Sequence, residues 1–169
     1  LQPSIRELVA LDISESRLQR VIENTTRLDL RLTPLVADAS ALPDTLLARP
    51  FDAILADVPC SATGVIRRNP DIKILREFDD IAGFANQQLA ILTGLWPALK
   101  PAGRLLYVTC SLLAVENDEV VSQFATRHGA HIDAVRLGTG TPRQHGWQTL
   151  PDLRGGDGLY FALLRKPAE

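Results

Sequence analysis

The chain has 169 residues, of which 46% are hydrophobic and 22% charged, so it fits one domain with a substantial core. Its net charge of −2 and isoelectric point near 5.9 exclude a protein that binds nucleic acid by overall basic charge. No apolar run reaches the ~18 residues of a membrane span, and the cysteines are too few for a disulfide framework. We therefore expect a reduced, cytoplasmic protein without a membrane partner.

The first half of the chain alternates strand and helix patterns. Short apolar runs that end in an acid, at Asp12, Asp38 and Asp57, are typical of buried parallel strands. Ser14 stands where a helix N-cap is expected, and residues at helical spacing follow it. The predicted strands span residues 8–13, 33–37 and 51–57, and the predicted helices span residues 14–28 and 43–47.

The second half continues this alternation after a loop. Residues 62–73 hold turn residues and arginines without periodicity, and the long helix that follows is stopped by Pro101 and Gly103. The predicted helices span residues 81–99 and 115–128, the predicted strands span residues 104–111, 131–137 and 159–164, and a polar stretch without strands covers residues 138–151.

This alternation predicts one α/β domain over residues 1–169, with a mostly parallel, doubly wound sheet and helices on both faces. Ligands of such sheets bind beyond the carboxyl ends of the strands. Four polar clusters follow predicted strands and should meet at that edge, namely Asp12, Asp38, residues 57–60 and residues 109–111. The sequence therefore predicts the functional site there.

Asp12 and Asp38 are candidates for binding a nucleoside cofactor. A carboxylate at the end of the first strand can accept hydrogen bonds from both ribose hydroxyls, as in dinucleotide-binding folds. Asp38 could accept a hydrogen bond from an adenine amino group. The alternative for Asp12 is an acid that only caps the following helix.

Asp57, Cys60 and Cys110 bring an acid and two thiols to the same edge. The alternative is that the cysteines are small buried hydrophobic residues, the commonest fate of a free cysteine. Alkylation of an unreactive carbon needs such groups: a thiolate that adds to C6 of cytosine makes an enamine, which can attack an electrophilic methyl group. An acid at Asp57 suits either proton donation to N3 or a hydrogen bond with the exocyclic amine. Position alone does not decide which cysteine attacks.

Three sequence motifs carry a family resemblance. Residues 56–73 read ADVPCSATGVIRRNPDIK, residues 109–111 read TCS and are followed by ENDE at residues 116–119, and residues 155–161 read GGDGLYF. In this order they resemble the fourth, sixth and C-terminal motifs of the bacterial 16S rRNA cytosine-5 methyltransferases of the Sun/Fmu or RsmB type. The resemblance implies an enzyme with a Rossmann-like sheet. It also implies that the enzyme takes S-adenosyl-L-methionine as cofactor and RNA as substrate.

The resemblance also implies roles for particular residues. Cys110 matches the nucleophile, and Cys60 matches the thiol that helps to release the product. Asp12, Asp38 and Asp57 match the acids around the cofactor, with Asp57 also facing the base. The family's first strand and its glycine-rich loop, which cradles the methionyl part of the cofactor, would precede Leu1. We expect the 169-residue chain alone to bind the cofactor poorly, to be inactive and to self-associate through open strand edges.

Arg67, Arg68 and Lys73 form a local basic cluster that could bind the phosphates on either side of a flipped base. The alternative is an ordinary solvated loop. His128, His131 and His145 show no metal-ligand spacing with the cysteines, so we predict surface histidines and no metal site. Trp96 and Trp147 are predicted to be core or interface residues.

The functional hypotheses differ in class. The leading one is methylation of C5 of a cytosine in 16S rRNA, and the nearest alternative is the same reaction on a tRNA. A non-catalytic RNA-binding or assembly factor remains open. A thiol redox protein is disfavoured, because the two cysteines are far apart and form no Cys-x-x-Cys motif.

Overall fold

In the computed structural model, residues 5–152 and 156–168 are described, and they form eight strands and five α-helices. The strands are β1 (Val9–Asp12), β2 (Thr33–Val36), β3 (Phe51–Asp57), β4 (Leu99–Thr109), β5 (His131–Asp133), β6 (Thr141–Pro142), β7 (Trp147–Gln148) and β8 (Tyr160–Arg165). The helices are α1 (Glu15–Arg27), α2 (Asp44–Leu47), α3 (Ile72–Leu75), α4 (Phe78–Leu95) and α5 (Asp118–His128), with short 3-10 helices at Thr63–Val65, Trp96–Ala98 and Ala114–Glu116.

The strands form two sheets. β1 and β2 pair in parallel, and a larger sheet has the order β3-β4-β8-β7-β6, with β5 also paired to β8. β3 and β4 are parallel, whereas the strands that follow α5 pair antiparallel, because they return without a crossover helix. The α/β class is confirmed, and the C-terminal third adds antiparallel pairs to the parallel β3–β4 arrangement.

Several predicted boundaries were wrong for identifiable reasons. α4 begins before residue 81, because Glu77 and Asp80 form a reciprocal capping box, and it ends at Leu95 because Pro97 follows. Residues 62–73 contain a 3-10 turn and α3 rather than loop alone, and β6 and β7 lie in the polar stretch predicted to have no strands. The remaining strands and helices match their predicted segments to within a few residues.

The core lies between the larger sheet and the helices α4 and α5. Alternate residues of β4, Leu105 and Tyr107, point to this side and are fully buried against the helices. Trp96 packs edge-on against Phe124 of α5, with ring centroids 5.1 Å apart, so Trp96 is a core residue as predicted. This packing holds the carboxyl ends of β3 and β4 on a rigid support.

The opposite side of β3 is open. Leu55 is 66% exposed, and it alternates with the buried Ala56 along the strand. Within residues 5–152 and 156–168, β3 pairs only with β4 and β1 pairs only with β2, so each keeps one unpaired edge. The end of β3 that carries Asp57 is therefore accessible from this side.

Candidate active site

The two cysteines lie next to each other at the predicted edge. β3 and β4 are parallel neighbours with Asp57 opposite Val108, so the segments that follow them leave the sheet side by side. The Sγ atoms of Cys60 and Cys110 are 3.4 Å apart, within hydrogen-bonding distance for sulfur, and both thiols are free. Cys60 is buried and Cys110 is half-buried. The structure thus brings together two residues fifty positions apart in the sequence.

Gly64 joins the segments that carry the three sequence motifs. Its N–H donates to the carbonyl of Cys110 at 2.8 Å, and its own carbonyl accepts from the N–H of Gly158 at 2.9 Å. A Cβ atom at this position would lie 1.9 Å from the carbonyl oxygen of Gly158, so no other residue fits without separating the segments. Gly155, the first residue of the C-terminal motif, lies outside the described residues.

A buried polar network lies beneath the thiols. The carboxyl group of Glu116 accepts hydrogen bonds from Ser61 and Ser111, the residues that directly follow the two cysteines. Asn117 adds to this network, because its side chain accepts from the hydroxyl of Thr109 at 2.6 Å and donates to the carbonyl of Ser111 at 3.0 Å. These contacts fix the segment on both sides of Cys110.

The surroundings shift the pKa values of the site in different directions. Burial raises the pKa of Asp57, so this carboxyl group keeps its proton to a higher pH than usual. The hydrogen bond from Cys60 lowers the pKa of Cys110, although burial and the charge of Asp57 oppose this change. The same hydrogen bond and burial raise the pKa of Cys60. Cys110 is therefore the thiol that ionises first, with Cys60 as its hydrogen-bond donor.

Asp12 and Asp38 lie at the carboxyl ends of two adjacent parallel strands, as predicted. One carboxylate oxygen of Asp12 accepts the N–H of Ser14 at 2.8 Å, and the other lies 3.6 Å from Arg17. Asp12 therefore binds the backbone of Ser14, the N-cap residue of α1, but it does not cap the helix itself. Asp38 is exposed, and hydrogen bonds from Ser40 lower its pKa, so it is a carboxylate at neutral pH.

The basic cluster divides into residues with different partners. Arg68 forms a two-point ion pair with Asp157, which ties the loop to the C-terminal motif. Arg67 and Lys73 are exposed, and Arg67 borders an open cavity of about 440 Å³ next to Leu112. Of the three predicted RNA-binding residues, Arg68 is thus the one with a structural ion pair.

Two histidine predictions were wrong. His128 stacks on Phe124 with ring centroids 4.5 Å apart, and burial lowers its pKa. His145 is half-buried, and its Nε2 has no hydrogen-bond partner among the described residues. His131 is exposed, as predicted. The partial burial of His128 follows from its place in α5, four residues after the buried Phe124, whereas His145 lies in a polar stretch without a periodic pattern.

Further site residues were missed for similar reasons. Gln88 on α4 is fully buried and donates to the carbonyl of Pro59 at 2.9 Å, and Arg76 donates to the carbonyl of Ser61 at 3.2 Å. Glu116 was predicted in the acidic start of an amphipathic helix over residues 115–128. Gln88 could have been recognised from the sequence as a glutamine on the apolar side of α4, because a polar residue there must find a hydrogen-bond partner inside the protein.

Over residues 5–152 and 156–168, no group of three or more His, Cys, Asp or Glu side chains is placed to hold a metal ion. Within the same part of the chain, no helix combines the length and the apolar character that crossing a membrane requires.

Comparisons with known proteins agree with this arrangement. The chain is 46% identical over 160 residues to the ribosomal RNA small subunit methyltransferase B of Photorhabdus laumondii, covering 95% of the chain and 37% of the relative. It is 43% identical over 170 residues to the probable ribosomal RNA small subunit methyltransferase B of Coxiella burnetii, covering 98% of the chain and 40% of the relative. The chain thus spans about two-fifths of the length of these curated relatives.

Solved structures share the fold. The crystal structure of NSun6 from Pyrococcus horikoshii with SFG matches 96% of this chain and 42% of its own chain, with a TM-score of 0.84 and 31% identity. A methyltransferase homolog protein from Pyrococcus horikoshii matches 95% of this chain and 53% of its own, with a TM-score of 0.76 and 26% identity. The fold is the Rossmann-like fold of S-adenosylmethionine-dependent methyltransferases. The family model for the 16S rRNA methyltransferase RsmB/F matches residues 1–165, and the chain therefore belongs to this family.

Proposed function

We propose that this chain is part of the catalytic domain of an enzyme that methylates C5 of a cytosine in 16S rRNA. The observation that carries the proposal is the pair of free thiols of Cys60 and Cys110, 3.4 Å apart at the carboxyl ends of two parallel strands, with Asp57 at the end of β3. The names of the relatives, which are small subunit rRNA methyltransferases, support the substrate class.

In the proposed reaction Cys110 is the nucleophile. Its lowered pKa favours the thiolate, which forms a bond from Sγ to C6 of the cytosine. The electron pair of the C5–C6 bond then becomes available at C5 for bond formation to the methyl group. Asp57 lies at the end of β3, where its carboxyl group can hydrogen-bond to N3 or to the exocyclic amine of the base and so stabilise the charge that develops in the ring. Burial raises the pKa of this carboxyl group, which favours proton donation.

Product release requires a base, for which solvent water suffices in the balance of the step, to take the C5 proton. The electron pair of the broken C–H bond then returns to the C5–C6 bond, and Cys110 leaves as a thiolate. Cys60 lies within hydrogen-bonding distance of the departing sulfur, at 3.4 Å. Its thiol can donate to that sulfur and so make Cys110 a better leaving group. This position supports the assignment of product release to Cys60.

S-adenosyl-L-methionine would supply the electrophilic methyl group. One carboxylate oxygen of Asp12 has only a 3.6 Å contact with Arg17, and Asp38 is exposed, so both residues retain capacity to accept hydrogen bonds from a nucleoside. Asp57 completes the set of acids at the same edge. The structurally similar NSun6 from Pyrococcus horikoshii was solved with SFG, an analogue of this cofactor, which supports S-adenosyl-L-methionine as the methyl donor.

The RNA is expected to contact the loop after Cys60. Arg67 and Lys73 are exposed and can bind phosphates, while Arg68 positions the loop through Asp157 and presents its remaining surface to the RNA. The acidic net charge of −2 means that this chain must bind RNA through a local patch or together with other segments of the full-length protein.

Bisulfite sequencing of 16S rRNA tests the proposal. A strain that lacks the gene should lose one 5-methylcytosine, which the wild-type gene restores and the Cys110→Ala variant does not. Loss of methylation at a tRNA cytosine instead would identify the tRNA alternative. Unchanged 5-methylcytosine in every RNA would contradict the proposal and favour a non-catalytic RNA-binding factor.

A further inference from the structure

The proposed reaction depends on the separation of two thiols that lie on different segments. Cys60 follows β3 and Cys110 follows β4, and neither is inside a strand or an α-helix. The last hydrogen bond between the two strands runs from the N–H of Val58 to the carbonyl of Val108 at 3.2 Å, two residues before each cysteine, so strand pairing alone does not fix the 3.4 Å distance between the two Sγ atoms. The hydrogen bond from Gly64 to the carbonyl of Cys110 joins the two segments, and a further contact must hold the residues next to both cysteines.

Glu116 provides this contact from a fully buried position. Its Oε1 accepts the N–H of Ser61 at 2.8 Å, and its Oε2 accepts the hydroxyl of Ser61 at 2.5 Å and the hydroxyl of Ser111 at 2.6 Å. The two serine hydroxyls are themselves 3.2 Å apart. One carboxyl group therefore binds the residues that directly follow both cysteines.

The carboxyl group is anchored in the core on its other side. Gln88 of α4 donates to Oε1 of Glu116 at 3.2 Å, and it also donates to the carbonyl of Pro59 at 2.9 Å. The hydroxyl of Tyr107 of β4 donates to the main-chain carbonyl of Glu116 at 2.6 Å and lies 3.0 Å from the side-chain oxygen of Gln88. Because α4 and β4 belong to the packed core, the position of Glu116 is set by rigid elements.

We propose that Glu116 is a positioning residue that sets the distance between the thiols of Cys60 and Cys110. The inference rests on the proposed function, in which these two thiols attack the base and release the product. Glu116 does not touch the reacting atoms in this account, because it lies behind the serines. Its effect on the distance between the thiols is transmitted through Ser61 and Ser111, and its charge acts directly on Cys110 only by opposing the lowered pKa of that thiol.

A variant at a neighbouring buried acid distinguishes a loss of thiol positioning from a general loss of stability. Asp118 is also a buried acid, but it accepts from the N–H of His145 at 2.9 Å and the hydroxyl of Tyr160 at 2.8 Å and pairs with Arg143 at 3.5 Å. Among the described residues, none of these partners belongs to either cysteine segment. Asp118→Asn should destabilise the fold without changing the distance between the thiols. It is therefore the matched control for Glu116→Ala.

The test measures how fast diamide oxidises the two thiols of the full-length protein to a disulfide. The thiols lose two protons and two electrons to the nitrogen–nitrogen double bond of diamide, and peptide mass mapping follows the Cys60–Cys110 disulfide. Because closure depends on sulfur–sulfur distance, a displacement of ~1 Å should slow the reaction by about 10-fold or more in Glu116→Ala. Asp118→Asn, assayed well below its unfolding temperature, should remain within about 2-fold of wild type.

The conservative Glu116→Gln variant refines the result. Its amide oxygen can still accept from the N–H of Ser61, and its NH₂ group can donate to a serine hydroxyl that rotates to accept. We expect an oxidation rate closer to wild type than that of Glu116→Ala. Equal slowing in Glu116→Ala and Asp118→Asn, or no slowing in Glu116→Ala, would overturn the proposal.

This experiment needs neither RNA nor cofactor. Its outcome therefore does not depend on whether the proposed function is correct. If the wild-type protein methylates no RNA but Glu116→Ala alone slows oxidation, the positioning role stands and the methyltransferase assignment does not. If methylation is observed, Glu116→Ala should lower kcat and leave the KM for S-adenosyl-L-methionine within about 2-fold, because the cofactor acids are untouched. A rise in that KM with unchanged kcat would contradict the positioning role.

Discussion

Replacing Gly64 by alanine tests whether the three motif segments are held together as the structure describes. The added Cβ would lie 1.9 Å from the carbonyl oxygen of Gly158 and 2.9 Å from that of Cys110. Both atoms belong to the backbone, so neither can rotate away. The segments that carry Cys60 and Cys110 would have to separate.

The size of the effect follows from the contacts that this separation removes. Two backbone hydrogen bonds, from Gly64 to Cys110 at 2.8 Å and from Gly158 to Gly64 at 2.9 Å, would be strained or broken. Each contributes about 1 kcal/mol, and overpacking adds about 1–3 kcal/mol, so Gly64→Ala should destabilise the fold by about 3–5 kcal/mol. For a domain of this size the unfolding temperature should fall by roughly 6–20 °C.

Gly83→Ala is the matched control for this measurement. Gly83 is an exposed position inside α4, and a Cβ there would meet nothing within 4 Å. Alanine favours a helix over glycine, so this variant should be more stable by about 0.5–1 kcal/mol. Thermal unfolding by circular dichroism measures both variants. An unfolding temperature for Gly64→Ala equal to that of wild type would refute the close packing of these segments.

Three further predictions concern the thiols, the basic loop and the chain itself. Removing the hydrogen-bond donor in Cys60→Ala should raise the pKa of Cys110, so the pH dependence of its alkylation by iodoacetamide moves to higher pH, whereas Cys60→Ser should retain most of the wild-type behaviour. An unchanged profile in Cys60→Ala would show that Cys60 does not set the ionisation of Cys110. Arg67→Glu should weaken RNA binding and make its salt dependence shallower, and Arg68→Glu should in addition lower the unfolding temperature, because it breaks the ion pair with Asp157. If wild type and Arg67→Glu had the same RNA affinity and the same salt dependence, this loop would be an ordinary solvated loop that does not bind RNA. The 169-residue chain alone should bind S-adenosyl-L-methionine weakly and self-associate, as calorimetry and sedimentation would measure; micromolar binding to a monomer would contradict this expectation.

Most of the fold could be predicted because β1, β2 and β3 are apolar runs followed by acids and the longer helices have regular apolar spacing. The ends of helices were less predictable where a side chain with a distant partner decides them. Asn117 interrupts the predicted helix 115–128, since its backbone has φ of −115° and ψ of −97°. This conformation allows its side chain to bind Thr109 and Ser111. No local pattern reveals a partner of this kind.

The positions of the two candidate catalytic cysteines could be predicted from the sequence. The contacts of the residues that hold them in place could not. Cys60 and Cys110 were placed at one edge because the carboxyl ends of parallel strands meet there. Glu116 was missed because its two serine partners lie 55 and 5 residues away, and only the folded chain brings them together. The pairing of Arg68 with Asp157 was missed for the same reason, since 89 residues separate them.

The central claim is that Cys110 attacks a cytosine and that Cys60 is needed for release, and the covalent adduct tests it most directly. Full-length Cys60→Ala, incubated with 16S rRNA and S-adenosyl-L-methionine, should accumulate a protein–RNA adduct that survives denaturing electrophoresis. Mass spectrometry of the nuclease-treated adduct should place the nucleotide on the peptide that contains Cys110, and the Cys60→Ala, Cys110→Ala double variant should form none. An adduct in Cys110→Ala but not in Cys60→Ala would reverse the two roles, and no adduct in any variant would contradict the covalent mechanism.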